Sequence, residues 1–148
     1  MFRWKAVIAV GSALVVGVTG TALAASVHYV GKPVDGNPRE FVSFDLSGDR
    51  CQDGSKKCID LDKGAKVKKF GAVSWSYPNC PDILEGAFEL DKTFRVDKDG
   101  GFGGTGKTPW ETITVEGKIN EEKAKARGTF KVESEGCSTG TRKWTAKA

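Results

Sequence analysis

From Thr112 to Val132 the chain alternates twice between apolar and polar positions. Ile113, Val115, Gly117 and Ile119 alternate with polar residues, and beyond Asn120-Glu121-Glu122 the positions Ala124, Ala126, Gly128, Phe130 and Val132 alternate with Lys123, Lys125, Arg127, Thr129 and Lys131. A period of two belongs to a strand with one buried and one solvated face. Two such strands joined by a short polar turn predict an antiparallel hairpin. Val42, Phe44 and Leu46 mark a further strand over residues 40–46. Lys66 to Tyr77 alternates as well, with Phe70 and Ala72 on one side and Val73, Trp75 and Tyr77 on the other, and Pro78-Asn79-Cys80-Pro81 ends it. Between Ile83 and Val96, Leu84, Gly86, Phe88 and Leu90 share a face, Asp91-Lys92-Thr93 suits a turn, and Phe94 and Val96 resume, which predicts a second hairpin. Ile59 and Leu61 suit a very short strand. No segment has a period of 3.6, so the expected fold is all-β, an antiparallel sandwich or small barrel of about six to eight short strands.

The first 25 residues have a different pattern. Arg3 and Lys5 precede an apolar stretch from Ala6 to Thr21, and Ala22-Leu23-Ala24 supplies the small residues that a signal peptidase reads. Residues 1–25 therefore read as a signal peptide cleaved after Ala24 or Ala25, with a retained membrane anchor as the competing interpretation. Residues 26–39, with Gly31, Pro33, Gly36 and Pro38, suggest an irregular lead-in. A single β-domain over 40–148 is expected to follow.

An exported chain of this size with four cysteines points to two disulfides. Three pairings are open. The favoured one joins Cys51 to Cys58 across a local loop and Cys80 to Cys137 between the middle of the chain and its C-terminal strands. On loop-closure grounds the long bridge should contribute roughly 4 kcal/mol and the short one about 2 to 3 kcal/mol. The cysteines do not form the two closely spaced pairs that a four-thiolate zinc site uses, and no metal or other cofactor is expected.

Charge narrows the partners only slightly. The full chain carries a formal +4, which falls to about +2 without Arg3 and Lys5. Lysines and glutamates interleave along the strands, and no run of like charge forms a nucleic-acid footprint. Nucleic acid is not expected as a partner, and a monomer is.

Two local motifs invite a chemical reading. Gly101-Phe-Gly-Gly-Thr-Gly106-Lys107-Thr108 matches the phosphate-loop pattern G-x-x-x-x-G-K-[ST], in which glycine N–H groups wrap phosphates at the start of a helix. The sequence that follows, Pro109 to Val115, begins a strand instead, so a flexible glycine-rich hairpin connection is expected and no nucleotide. Asp97-Lys98-Asp99-Gly100-Gly101 begins like a calcium loop but lacks the matching downstream glutamate, and a solvated turn is the expectation. The only histidine, His28, falls in the lead-in, and all four cysteines are committed to pairing, so no nucleophilic triad can be assembled without that residue. A carboxylate pair for glycoside hydrolysis would depend on the fold.

At its C-terminal pattern the chain resembles a loose group of small exported bacterial proteins, common in actinobacteria. Their domains carry a Gly-x-Phe strand, an Ala-x-Gly-x-Phe strand, Gly-Cys-x-[Ser/Thr]-Gly and Trp-[Thr/Ser]-Ala. The corresponding residues are Gly86-Ala-Phe88, Ala126-Arg-Gly-Thr-Phe130, Gly136-Cys137-Ser-Thr-Gly140 and Trp144-Thr-Ala146. The resemblance covers roughly Glu40 to Ala148 and implies a secreted β-domain with Cys80 placed to pair with Cys137. It implies almost nothing about activity, because members of the group mostly lack an assigned one. The Cys51–Cys58 loop and residues 101–108 lie outside the shared pattern. The expected role is a non-enzymatic module binding a cell-wall polymer or an extracellular protein, with Trp110 and Tyr77 as the candidate aromatic contacts. The alternatives are an inhibitor of a secreted hydrolase presenting the Cys51–Cys58 loop and a small carboxylate-dependent hydrolase.

Overall fold

The computed structural model describes residues 24–52, 54, 57–80 and 86–148. The expected signal segment up to residue 23 and the positions of Ile83 and Leu84 lie outside the described residues. Among the described residues, no helix is long and apolar enough to cross a membrane.

Among the described residues, ten strands form one antiparallel sheet: β1 (Ala24–Pro33), β2 (Phe41–Asp49), β3 (Lys66–Trp75), β4 (Gly86–Glu89), β5 (Phe94–Arg95), β6 (Gly101–Lys107), β7 (Thr112–Asn120), β8 (Lys125–Ser134), β9 (Cys137–Ser138) and β10 (Arg142–Lys147). Their order is β4-β3-β2-β1-β10-β8-β7-β6, with β5 also on β3 and β9 on β8. The sheet curls on itself until β5 lies against β6. There Asp97 N–H donates to the Gly101 carbonyl (2.9 Å) and Lys92 Nζ to the Thr105 carbonyl (2.8 Å). The β7–β8 hairpin forms as its alternation requires, with Val115 opposite Phe130 and Gly117 opposite Gly128.

Residues 26–39 are not an irregular lead-in. Most of them belong to β1, which sits between β2 and β10 and turns Val27 and Tyr29 into the core. Gly31 and Pro33 disguised the strand, but Pro33 is its last residue and so removes no donor from within the ladder. The two expected cleavage positions, Ala24 and Ala25, form the first rungs of β1 opposite Asp49 and Gly48.

The second hairpin does not form either. Residues 86–96 run along β3 as one interrupted edge strand: β4 pairs with Gly71 to Trp75, β5 pairs with Lys66 and Val67, and Leu90 N–H donates to the Phe70 carbonyl between them. Ile59 makes a single bridge with Arg50, and Leu61 opens a 3-10 turn over Leu61–Lys63 rather than a strand.

The glycine-rich stretch is β6 itself, paired residue by residue with β7, not a flexible connection. Gly104 and Gly106 face the seam. A Cβ on Gly106 would lie 2.8 Å from a Leu90 methyl, and one on Gly104 would lie 3.2 Å from the Phe94 ring. Side chains from the opposite edge fill the space that β6 leaves empty, and this closes the sheet.

The interior is largely aromatic. Phe44 stacks on Tyr29 (4.9 Å between centroids) and meets Phe70, Phe102 and Trp144 at 5.7–6.1 Å. Gly128 admits the Trp144 indole, because a Cβ there would stand 2.7 Å from Cζ2. Both disulfides take the favoured pairing, Cys51–Cys58 and Cys80–Cys137.

Candidate functional site at the disulfide-pinned end

Antiparallel order gathers the β1–β2, β6–β7 and β8–β10 connections, the end of β3 and the start of β4 at one end of the curled sheet. The Cys80–Cys137 bridge crosses this end, with its Cα atoms 5.8 Å apart. Asn79 reinforces it: its side-chain amide donates to the Gly136 carbonyl (3.0 Å), and its Oδ1 accepts from Ser138 N–H (2.9 Å).

Trp110 stands on the β6–β7 turn at this end with its side chain out in solvent, 80% exposed. Its backbone is held on both sides. Thr108 Oγ1 accepts from Glu111 N–H (3.1 Å), Thr108 N–H donates to the Glu111 carbonyl (3.0 Å), and Ser134 Oγ donates to the Trp110 carbonyl (2.6 Å). Ser134 in turn pairs with Cys137 in β9. A continuous line of bonds therefore runs from the exposed indole's backbone to the disulfide.

Tyr77 does not join Trp110 at the surface. It is only 4% exposed and packs edge-on against Trp75, with centroids 5.0 Å apart. The reason lies in β3. Lys69 and Ser74 take positive φ values of 53° and 59° and each adds a residue to the strand, shifting its register against β2 and β4. The second bulge returns Trp75 to the face already occupied by Phe70 and Ala72, and Tyr77 follows it inward.

Beneath the turn, Glu111 lies beside Tyr77. Burial raises the Glu111 carboxyl above the ordinary range, and burial followed by the Glu111 charge raises the Tyr77 phenol. Neither Glu111 Oε2 nor the Tyr77 hydroxyl has a hydrogen-bond partner, and both atoms are closed to solvent. A carboxyl of raised pKa is what a general acid needs, but these atoms offer no surface to a substrate.

The remaining sequence candidates lie elsewhere. His28 is on the outer face of β1, opposite Asp45, with Nδ1 2.7 Å from the carboxylate. Asp97 accepts N–H bonds from Asp99 and Gly101, so it caps a turn within its own segment. The Cys51–Cys58 loop is closed at its base by Cys51 N–H to the Cys58 carbonyl (3.1 Å), at the end opposite Trp110. Glu121 brings a carboxylate within 4.8 Å of both sulfurs there, but sulfurs bonded to each other offer no thiolate to a metal.

Sequence reasoning missed Glu40 and Arg142. Glu40 is buried, accepting from Arg142 Nη2 at 2.8 Å and from Asn37 N–H at 3.1 Å. The pair fastens the β1–β2 connection to the start of β10. Partners 102 residues apart leave no local signal. Compared with protein-family models, with curated proteins and with solved structures, the chain finds no match.

Proposed function

We propose that the chain is an exported, non-enzymatic binding domain that holds a glycan of the cell envelope against the Trp110 indole. The observation that carries this reading is the contrast at Trp110, whose side chain is 80% exposed while its N–H donates to Thr108 Oγ1 (3.4 Å) and its carbonyl accepts from Ser134 Oγ (2.6 Å). A ring left in water costs the free protein solvation, and a turn whose backbone is already ordered loses little freedom when a ligand arrives. A flat aromatic face of this kind suits the apolar face of a sugar. Export is supported by the signal-like leader and by two disulfides, which persist in oxidising compartments. The bacterial resemblance points the same way. A catalytic role draws less support, because all four cysteines are bonded and His28 lies on the outer face of β1, away from the β6–β7 turn.

Indole fluorescence provides the test. Trp75 and Trp144 are buried, so adding soluble fragments of envelope glycan should shift the Trp110 emission to shorter wavelength. The shift should be absent in Trp110→Phe. An unchanged spectrum at saturating glycan contradicts the reading, and a shift produced only by an extracellular protein reassigns the site to a protein partner.

A further inference from the structure

The strand register assembles charges that are scattered in the sequence. On the outer face of β7, β8, β10 and β1, one row across the sheet reads Lys118, Arg127, Thr145, Lys32, and the next reads Asn120, Lys125, Lys147, Val30. A third row supplies Glu116, Thr129 and Lys143. Within these three rows six cations thus stand with one carboxylate, and the next cation of β8 along the same face, Lys131, is already paired with Glu133.

This arrangement is unfavourable in the free protein. Lys118 stands directly opposite Arg127, and Lys125 directly opposite Lys147, and like charges in facing cross-strand positions destabilise a sheet. Among the described residues, none of the six cations lies within ion-pair distance of a carboxylate. A face that concentrates one sign of charge without internal neutralisation attracts the opposite sign and raises its local concentration.

We infer that this face is a docking strip for a linear polyanion, a polymer bearing phosphodiester-type groups, and that it is separate from the Trp110 site. Geometry favours a chain-like ligand. Facing cations lie on strands about 4.8 Å apart, and successive rows are two residues, or about 6.7 Å, apart, so charges repeating at that interval meet several cations at once. The apolar neighbours Val30 and Phe41 are each less than half exposed and lie within the sheet surface. They can line a polymer resting on the face.

The probe is long-chain inorganic polyphosphate, titrated against the exported protein at 50 and 300 mM NaCl. Binding is expected at low salt and should weaken more than about tenfold at high salt, as counterion release requires. Lys118→Gln/Arg127→Gln should lower the affinity by about tenfold, because it removes a facing pair of contacts. The control Lys66→Gln/Lys68→Gln makes the same charge change on β3, two strands from β1, and should stay within about twofold. Removing a repelling pair should not unfold the protein, so lost binding reports the face itself. Equal losses in the two variants, or no binding at 50 mM, overturn the proposal. Binding to anionic lipid vesicles but not to polyphosphate overturns it in favour of a membrane surface. Trp110→Ala should bind polyphosphate normally, which separates this inference from the glycan site.

Discussion

At the scale of single residues, the least comfortable groups cluster below the Trp110 turn. Glu111 holds its proton more tightly in the folded chain than it would unfolded, because burial disfavours the carboxylate. The stability it supports is therefore complete below the ordinary glutamate pKa and is lost as pH rises through the raised folded value. Glu111→Gln should leave the thermal midpoint near wild type at pH 4 and raise it at pH 7. Calorimetry at the two values checks this, and a midpoint lowered equally at both would show that the carboxyl is structural in either charge state. Glu40 and Arg142 present the opposite case, a paired charge in the interior. Arg142→Ala strands the Glu40 carboxylate with Asn37 N–H as its remaining partner, and the expected loss is about 3–5 kcal/mol by urea denaturation. The double variant Glu40→Gln/Arg142→Met should recover much of that loss. Wild-type stability in Arg142→Ala would show that the pair contributes nothing.

At the scale of elements, what the sequence reveals depends on whether alternation survives unbroken. The β7–β8 hairpin was legible because Ile113 to Ile119 and Ala126 to Val132 keep one phase throughout. In β3 the phase breaks twice, at Lys69 and Ser74, and no residue type announces a bulge at either position. Unbroken alternation therefore places Trp75 and Tyr77 on the face opposite Phe70 and Tyr77 at the surface, whereas the bulges bury both. β6 was hidden for another reason. Its inward positions after Phe102 are glycines, and the apolar volume that marks a strand is supplied from across the seam by Leu90 and Phe94. Gly106→Val should therefore force the seam apart and cost about 1–3 kcal/mol. The outward-facing Thr105→Val should change the urea midpoint little. Equal midpoints for the two variants would contradict the role assigned to Gly106.

At the scale of the whole molecule, a single curled sheet holds two disulfides at opposite ends and presents two separate surfaces. One is a point contact, Trp110 on a pinned turn; the other is a broad basic face. Trp110 could be nominated from sequence as an aromatic beside a glycine-rich stretch, but its exposure depends on how the β6–β7 turn is tied to Ser134, 24 residues further on. The basic face could not be read at all, since lysines interleaved along each strand look like ordinary solvated positions until register stacks them. The glycan reading rests on Trp110 alone, so its most direct test is co-sedimentation of wild type and Trp110→Ala with isolated cell wall at physiological salt. Wild type should pellet and be released by soluble glycan. The variant should lose about 2 kcal/mol of binding, roughly thirtyfold in affinity, as an aromatic hot spot does. Equal retention of the two proteins, or both remaining in the supernatant, would contradict the account.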